Sequence, residues 1–216
     1  MKLRITLFSL LAFSMVAGAV AATAQTVYSN GPINGNVDSW PFNFGFIVSD
    51  TFNVVNNGTT ITGFDFGAHL FPGDTLTSAE LSITSGENGG TTYFDQTLNF
   101  TQSMCRVNVF GMNVCLETST FQGPTLNLGT YWLNLQNGSV PSGDPVYWDE
   151  NSGPSSASFS TLGSIPSEAF TVLGTSSGTT TTSTTSTTTS VPEPSSILLL
   201  ASGVLGLAGM VRRRLL

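Results

Sequence analysis

The segment TYWLNLQN, residues 130–137, alternates side chains of two kinds. One set of alternate positions is largely apolar and the other carries an indole and two amides: Tyr131, Leu133 and Leu135 against Trp132, Asn134 and Gln136. A period of two residues is typical of a β-strand with one buried face. The segment therefore predicts a strand that packs its leucines inward and turns an aromatic and polar face outward.

Short segments of the same character occur along the chain between residues 25 and 174. They are rich in Thr, Val, Phe and Tyr and are separated by Gly, Asn, Pro and Asp, as strands joined by turns are: FNFGFIV (42–48), TITGFDFG (60–67), LTSAELSITS (76–85), TTYFDQTLNFT (91–101) and PVYWDE (145–150). Strands spaced by roughly 8–12 residues favour an antiparallel sandwich or barrel. We expect an all-β fold, an antiparallel β-sandwich of jelly-roll topology, with an immunoglobulin-like sandwich as the alternative.

The first 24 residues have the composition of a secretory signal peptide. Two basic residues precede an apolar run over positions 5–20, and small residues follow at Ala22 and Ala24. A basic start, an apolar centre and an A-x-A site form the pattern that signal peptidase recognises. We expect export with cleavage after Ala24, and an uncleaved membrane anchor is the alternative.

The two cysteines lie symmetrically about a predicted hairpin turn in CRVNVFGMNVC, residues 105–115. A three-residue loop at 109–111 places Gly111 at the left-handed position that such hairpins need. Counting back from the closing pair Asn108–Met112 sets Cys105 opposite Cys115, at a site where Cα atoms approach to roughly 4.5 Å. An even cysteine count in an exported chain favours oxidation. The pattern therefore predicts a Cys105–Cys115 disulfide.

The C-terminal end contains three ordered elements. The motif Pro192-Glu193-Pro194 precedes an uncharged segment of 17 residues, 195–211, and the basic cluster Arg212, Arg213 and Arg214 follows it. A segment of this length is at the lower limit of a transmembrane helix, and a basic cluster after a span stays cytoplasmic. We expect a transmembrane helix that temporarily holds the translocated body on the outer side.

This order of motif, span and basic cluster resembles the PEP-CTERM protein-sorting signal of Gram-negative bacteria. In that family a membrane-embedded exosortase recognises the Pro-Glu-Pro motif, removes the tail, and releases the protein or transfers it to the exterior. Such proteins often accompany exopolysaccharide production. The resemblance covers residues 191–216 alone. It implies an exosortase as partner, transient anchoring in the inner membrane, and a final location at the cell surface or outside the cell.

A tract rich in Thr and Ser separates the body from this tail. Residues 175–190 contain ten Thr, five Ser and one Gly, so the tract has no apolar side chain to bury. Its composition is typical of flexible linkers and of O-glycosylated stalks. The expected organisation is a signal peptide at 1–24, a β-sandwich domain at 25–174, a linker at 175–190 and a sorting signal at 191–216.

The charge of the mature chain excludes one class of function. Residues 25–190 contain twelve acidic residues and a single basic residue, Arg106, which gives a formal net charge of −11. Proteins that bind nucleic acid neutralise several phosphates with Lys and Arg. Nucleic acid is therefore not expected as a partner, and attraction to acidic polysaccharide by charge alone is equally unfavourable.

No catalytic residue, cofactor or metal site is expected. His69 is the only histidine, and the two cysteines have a better partner in each other. A glycoside hydrolase needs two carboxyl groups facing one cleft, whereas the neighbours Asp149 and Glu150 would project to opposite faces of a strand. Asp144, Asp149 and Asn151 offer oxygen ligands for Ca²⁺, but their spacing matches no calcium loop. The domain is therefore expected not to be an enzyme, with glycoside hydrolysis as the least favoured function.

Two segments could form a sugar-binding surface. An outward Trp132 beside the amides of Asn134 and Gln136 could stack on a pyranose ring and bond its hydroxyls. The segment YWDEN adds further candidates, with whichever of its two aromatic residues points outward: Tyr147, Trp148 and Asp149. The alternative is that both tryptophans fill or cover the core.

Two functions remain open for the domain. The first is a structural or adhesive protein of the cell surface or extracellular matrix. The second is a carbohydrate-binding module for an extracellular polysaccharide. They differ in whether Trp132 and Trp148 face a groove or the core.

Overall fold

The computed structural model describes residues 24–36 and 38–176, and every regular element in these ranges is a β-strand. The strands are β1 Gln25–Ser29, β2 Ser39–Pro41, β3 Ile47–Val54, β4 Thr59–Leu70, β5 Ser78–Gly86, β6 Gly89–Asn99, β7 Thr101–Val107, β8 Asn113–Thr120, β9 Thr125–Leu126, β10 Gly129–Ser139, β11 Tyr147–Asp149, β12 Ala157–Phe159, β13 Gly163–Ile165 and β14 Phe170–Ser176. Within these residues no helix is long and apolar enough to cross a membrane.

The ends of the chain lie outside the described residues. These ends comprise the predicted signal peptide up to residue 23, the sorting signal and most of the predicted linker. The first two linker residues, Thr175 and Ser176, belong to β14, so the strand continues two residues beyond the expected domain boundary at 174.

The strands form two antiparallel sheets. The first sheet has six strands in the order β13-β12-β3-β10-β5-β6. The second sheet has eight strands, with β4 at its centre. On one side of β4, β14 pairs with its first part and β11 with its last part, and β1 and β2 lie outside β14 and β11 respectively. On the other side, β8 and β9 pair with β4, and β7 lies outside β8. The expected all-β, antiparallel sandwich is confirmed.

The apolar faces of the two sheets form one core. The six-stranded sheet contributes inward side chains at alternate positions, including Leu133 and Leu135 of β10, as the period of two predicts. The eight-stranded sheet contributes an aromatic group in which Phe64 and Phe66 stack at 5.2 Å between ring centroids and the edge of Trp148 meets both rings. Burying each large side chain stabilises the fold by about 1.5–3 kcal/mol, so this aromatic group is a major part of the core.

Most predicted strands are present, with one clear exception. The segment 42–48 was expected to be a strand, but β3 begins only at Ile47. Phe44 and Gly45 have positive φ angles of 56° and 83°, and the N–H of Phe46 bonds back to the carbonyl of Asn43. A turn therefore interrupts the aromatic run, because no strand can contain two successive left-handed residues.

The hairpin of β7 and β8 has the predicted turn. Asn108 N–H donates to the carbonyl of Met112 at 2.9 Å, and Gly111 has a φ of 81°. A disulfide joins Cys105 to Cys115, with their Cα atoms 4.1 Å apart. The sequence did not predict the β-bulge next to this disulfide, where the register shifts between Ser103 and Arg106.

The two ends of β4 define two poles of the sandwich. At the first pole, Thr59 pairs with Ser176, and Gln25 of β1 pairs with Gly174, so both described chain ends lie there. At the second pole, Leu70 pairs with Asn113, next to the turn of the β7–β8 hairpin. A strand of twelve residues separates the poles by roughly 35–40 Å.

Candidate functional site

The predicted sugar-binding row on β10 lies on the outer face of the six-stranded sheet. Trp132, Asn134 and Gln136 alternate with the buried leucines, and Trp132 and Gln136 are half-buried. Across the strands, Asn134 is flanked by Ser49 of β3 and Ser82 of β5. The sequence therefore placed these three side chains on the correct face.

The amides of this row are already engaged within the protein. Asn134 is 2 % exposed, and its Nδ2 donates to the hydroxyls of Ser82 and Thr84 at 3.0 Å each. Its Oδ1 accepts from the N–H of Asn88, in the turn of the β5–β6 hairpin. Gln136 donates to Glu80 at 2.5 Å. Binding a sugar with these amides would require these internal bonds to break.

The turn of the β5–β6 hairpin bends over this outer face. Besides the Asn88 contact, the carboxylate of Glu87 accepts a hydrogen bond from the hydroxyl of Ser158 on β12. Ser158 pairs with Ser49, which pairs in turn with Asn134. A row of small polar side chains is thus covered by the turn, which leaves Trp132 as the partly exposed aromatic group of the β10 row.

The YWDE segment differs from the predicted surface in two residues. Trp148 is completely buried in the core, and its Nε1 donates to the carbonyl of Ala169 at 3.1 Å. It cannot stack on a ligand, so its inclusion among the binding residues was wrong. Tyr147 is the outward aromatic residue and lies on the outer side of the eight-stranded sheet, paired with His69.

Asp149 is buried as well, under the loop that joins β1 to β2. Its carboxylate accepts from the backbone N–H groups of Asn34 and Gly35 at 2.8 and 3.0 Å, and from Nε2 of His69 at 2.7 Å. Gly67 permits this approach, because a Cβ at that position would lie 2.8 Å from the Cβ of Asp149. The His69–Asp149 pair therefore fixes this loop on the sheet.

The two predicted segments do not form one site. Trp132 lies on the outside of the six-stranded sheet and Tyr147 on the outside of the eight-stranded sheet, so they face away from each other across the sandwich. Adjacent residues Asp149 and Glu150 project to opposite faces, as expected for a strand.

A group of acidic side chains that the sequence did not predict lies between the sheets. Glu150 and Glu168 face each other in an antiparallel bridge and project inward, on the same side as Trp148. Asp50 faces them from the inner side of β3, where it lies between the buried residues Val48 and Phe52. We call Asp50, Glu150 and Glu168 the interior carboxyl cluster.

The carboxyl groups of this cluster have very different partners. Asp50 accepts from the N–H of Glu168 at 2.7 Å and from that of Thr51 at 2.6 Å. Glu150 accepts from Nε1 of Trp40 at 2.8 Å. Both carboxyl oxygens of Glu168 are buried and have no hydrogen-bond partner. Burial raises the pKa of Asp50 to about 6. Burial, followed by the charge of Asp50, raises the pKa of Glu168 well above its usual value.

Asn30, at the end of β1, connects the cluster to the surface. Its Nδ2 donates to the carbonyl of Glu168 at 2.7 Å and lies 3.4 Å from Asp50 Oδ2. It also borders an open cavity of about 460 Å³, lined by Ser29, Asn30, Gly31, Pro32, Asn34, Asn151, Ser152, Gly153 and Pro154. Gly153 is required there, because a Cβ would clash with the carbonyl oxygen of Asn30.

No group of three or more His, Cys, Asp or Glu side chains in 24–36 and 38–176 is arranged to hold a metal ion. The acidic residues considered for calcium from the sequence are not brought together. Asp144 is exposed and its carbonyl accepts from Asn43, whereas Asp149 is buried beside His69.

The comparison with known families identifies the C-terminal segment. Residues 190–214 match the family model of the PEP-CTERM protein-sorting motif. The match includes Pro192-Glu193-Pro194 and the three arginines, so the resemblance seen in the sequence is confirmed for this segment. The motif indicates an exported protein with a membrane-anchored sorting signal. No curated protein matches the chain significantly.

Proposed function

We propose that the protein is exported, processed by an exosortase-type enzyme and kept at the cell surface or in the extracellular matrix, where its β-sandwich has a structural or adhesive role. Signal peptidase would act after Ala24, and the exosortase would recognise Pro192-Glu193-Pro194. The match over 190–214 supports the sorting step. In this proposal the β-sandwich is not catalytic.

The arrangement of the two poles supports an adhesive role. Both described chain ends leave the sandwich at the first pole. The turn of the β7–β8 hairpin at the second pole exposes 86 % of Val109 and 62 % of Phe110. Contiguous exposed apolar patches often mark interaction sites. The domain thus offers an apolar tip at the pole remote from its point of attachment.

We also assign the domain to the expected jelly-roll topology. Eight of its strands form two sets of four neighbours, in the order β1-β14-β4-β8 in one sheet and β3-β10-β5-β6 in the other. This order is that of two interleaved Greek keys, and it supports a jelly roll over an immunoglobulin-like sandwich.

Substitution of the hairpin tip tests the adhesive role. We expect Val109→Ser together with Phe110→Ser to lower the matrix-bound fraction of the protein several-fold, because the apolar contact is lost. The measurement is quantitative immunoblotting of matrix and medium fractions. Export and processing should be unchanged, since surface substitutions have little effect on stability.

The matched control lies at the other pole. Val55 and Leu128 are equally exposed, at 66 % each, beside the chain ends. Val55→Ser with Leu128→Ser should leave the matrix-bound fraction unchanged. Equal retention of both double variants would rule out the hairpin tip as the adhesive element.

Carbohydrate binding is the second candidate function. It is supported by the partly exposed Trp132 and by the open cavity, whose amide-rich lining and volume suit a small polar ligand. Fluorescence titration with the polysaccharide of the producing cells distinguishes the two functions. Saturable quenching that is lost in Trp132→Ala would favour a carbohydrate-binding module over a purely structural role.

A further inference from the structure

Three buried oxygen atoms in the interior carboxyl cluster or beside it have no hydrogen-bond partner. Two are the carboxyl oxygens of Glu168 and the third is the hydroxyl of Ser155. The backbone N–H of Ser155 bonds to Asn30 Oδ1 at 3.3 Å, and Asn30 Nδ2 in turn bonds to the carbonyl of Glu168. Ser155 also lies close enough to Asp50 to offset part of the rise in its pKa. The side chain of Ser155 and the backbone of Glu168 thus both adjoin Asp50.

The described part of the chain offers no cation to this cluster. Its basic side chains are Arg106 and His69. Arg106 Nη2 donates to the carbonyl of Ile33, and His69 pairs with Asp149 on the outer side of the sheet. A buried carboxylate without a partner is costly, and such groups are usually paired or bound to a metal.

We propose that a calcium ion binds between the two sheets, held by the carboxylates of Glu168 and Asp50 and the hydroxyl of Ser155. All three ligands are oxygen atoms, which calcium prefers. Asp50 accepts from the N–H groups of Thr51 and Glu168 and, at 3.4 Å, from Asn30 Nδ2, so one of its four acceptor sites remains for a metal. Two carboxylates would neutralise one divalent cation.

Asn30 and Glu150 have other roles in this site. The amide oxygen of Asn30 already accepts from the hydroxyl of Tyr28 and from Ser155 N–H, so it positions Ser155 and does not bind the ion. Glu150 is held by Trp40 and adds negative charge nearby. The site thus uses two carboxylates and a neutral oxygen, which agrees with the lack of a triple His, Cys, Asp or Glu group.

The small number of protein ligands sets the expected affinity. Extracellular calcium modules bind with dissociation constants of about 10⁻⁴–10⁻³ M, and an exported protein meets calcium at such concentrations. The ion would join β3, the 150–156 loop and the segment before β14, and so stiffen the walls of the adjoining cavity. This site does not depend on the proposed adhesive function.

Thermal unfolding with and without calcium tests the site. The full-length chain, purified in mild non-ionic detergent, is stripped with EDTA, dialysed, and melted at pH 7.5 with 0 to about 10 mM CaCl₂, a range set by the expected affinity. We expect the melting temperature to rise by several degrees, because ligand that binds only the folded state stabilises it. Isothermal titration of the same sample should give one calcium per chain.

Two variants and a matched control separate this site from binding to the acidic surface. Glu168→Gln and Asp50→Asn should each abolish the calcium-dependent rise. Glu117→Gln should keep it, although Glu117 is also buried and unpartnered, because it lies on β8 apart from the cluster. A rise that persists in Glu168→Gln would assign calcium to the surface and overturn the proposal.

The wild-type titration decides the matter if the variants do not fold. Absence of both a thermal shift and a calorimetric signal up to 10 mM calcium, roughly ten times the weakest expected dissociation constant, would overturn the site. Glu168 would then be a buried neutral acid.

Discussion

Glu117 is a carboxyl group buried on the inner face of β8 without a partner. It pairs across the sheet with Phe66 on β4 and with Gln102 on β7. Neither of its oxygens, nor Oε1 of Gln102, has a hydrogen-bond partner. Burial, with no charged neighbour contributing, raises the pKa of Glu117 to about 8. The folded protein therefore holds this proton more tightly than the unfolded chain does.

Replacing Glu117 should remove part of the pH dependence of stability. A carboxyl group whose pKa is raised by folding makes its full contribution to stability at pH values below its usual pKa of 4.5. This contribution is lost as the pH rises through the pKa in the folded protein, about 8. We expect the wild type to lose about 2–4 kcal/mol more than Glu117→Gln between pH 5 and 9, since one pKa unit corresponds to about 1.4 kcal/mol. Denaturant unfolding of the full-length chain at several pH values measures this difference.

An exposed neutral residue supplies the control for this experiment. Thr97→Ser, on the exposed side of β6, removes no titratable group and should preserve the wild-type pH profile. Superimposable profiles for wild type and Glu117→Gln would contradict a protonated Glu117.

At the level of single residues, the sequence predicted the buried face of β10 but not which residues of the YWDE segment are buried. In YWDE, either aromatic residue could face outward, and the core selected Trp148 because Phe64, Phe66 and Phe170 surround it. Asp149 looked like a surface residue. It is buried because the loop at 33–36, more than a hundred residues away in sequence, folds over it.

At the level of elements, the local sequence pattern predicted most of the long strands. It failed where the backbone conformation ends a strand or where contacts between distant residues determine the structure. The alternation in β4, β5 and β10 is strong and local. The run at 42–48 is equally aromatic, but the left-handed residues Phe44 and Gly45 end it. The interior carboxyl cluster joins Asp50 to Ser155 and Glu168, and no local pattern connects positions so far apart in sequence.

The disulfide should stabilise the β7–β8 hairpin without being essential to the fold. β7 is an edge strand that pairs only with β8 in the described residues, and its side chains are mostly exposed. Closing a short loop stabilises a protein by roughly 2–3 kcal/mol. We expect reduction to lower the melting temperature by about 4–8 °C while unfolding stays cooperative. Calorimetry of the full-length chain with and without reductant measures the change.

A cysteine-free variant separates loss of the disulfide from effects of the reductant. Cys105→Ser with Cys115→Ala should melt at the temperature of the reduced wild type and should not respond to reductant. Two reactive thiols in native protein taken from the cell exterior would contradict the pairing.

At the level of the whole molecule, the sandwich places the two ends of the described residues at one pole and the apolar hairpin tip at the other. The sorting segment could be predicted from the sequence because it is a linear pattern, and the family match over 190–214 confirms it. The two poles could not, since they depend on how β1, β4 and β14 pair.

The sorting motif should control release of the protein from the membrane. The Pro-Glu-Pro motif lies between the domain and the uncharged segment 195–211, so cleavage near it separates the two. We expect Pro192→Ala or Glu193→Ala to leave an uncleaved chain in the membrane fraction. The released fraction should fall at least about tenfold, which corresponds to a loss of roughly 1.4 kcal/mol or more of transition-state binding.

Thr187→Ala, in the Thr/Ser tract just before the motif, is the control and should be processed normally. Fractionation followed by mass spectrometry of the intact protein measures both location and C-terminus. Normal release of the motif variants, with the same C-terminus as the wild type, would exclude exosortase recognition of this motif and make the tail the target of another protease.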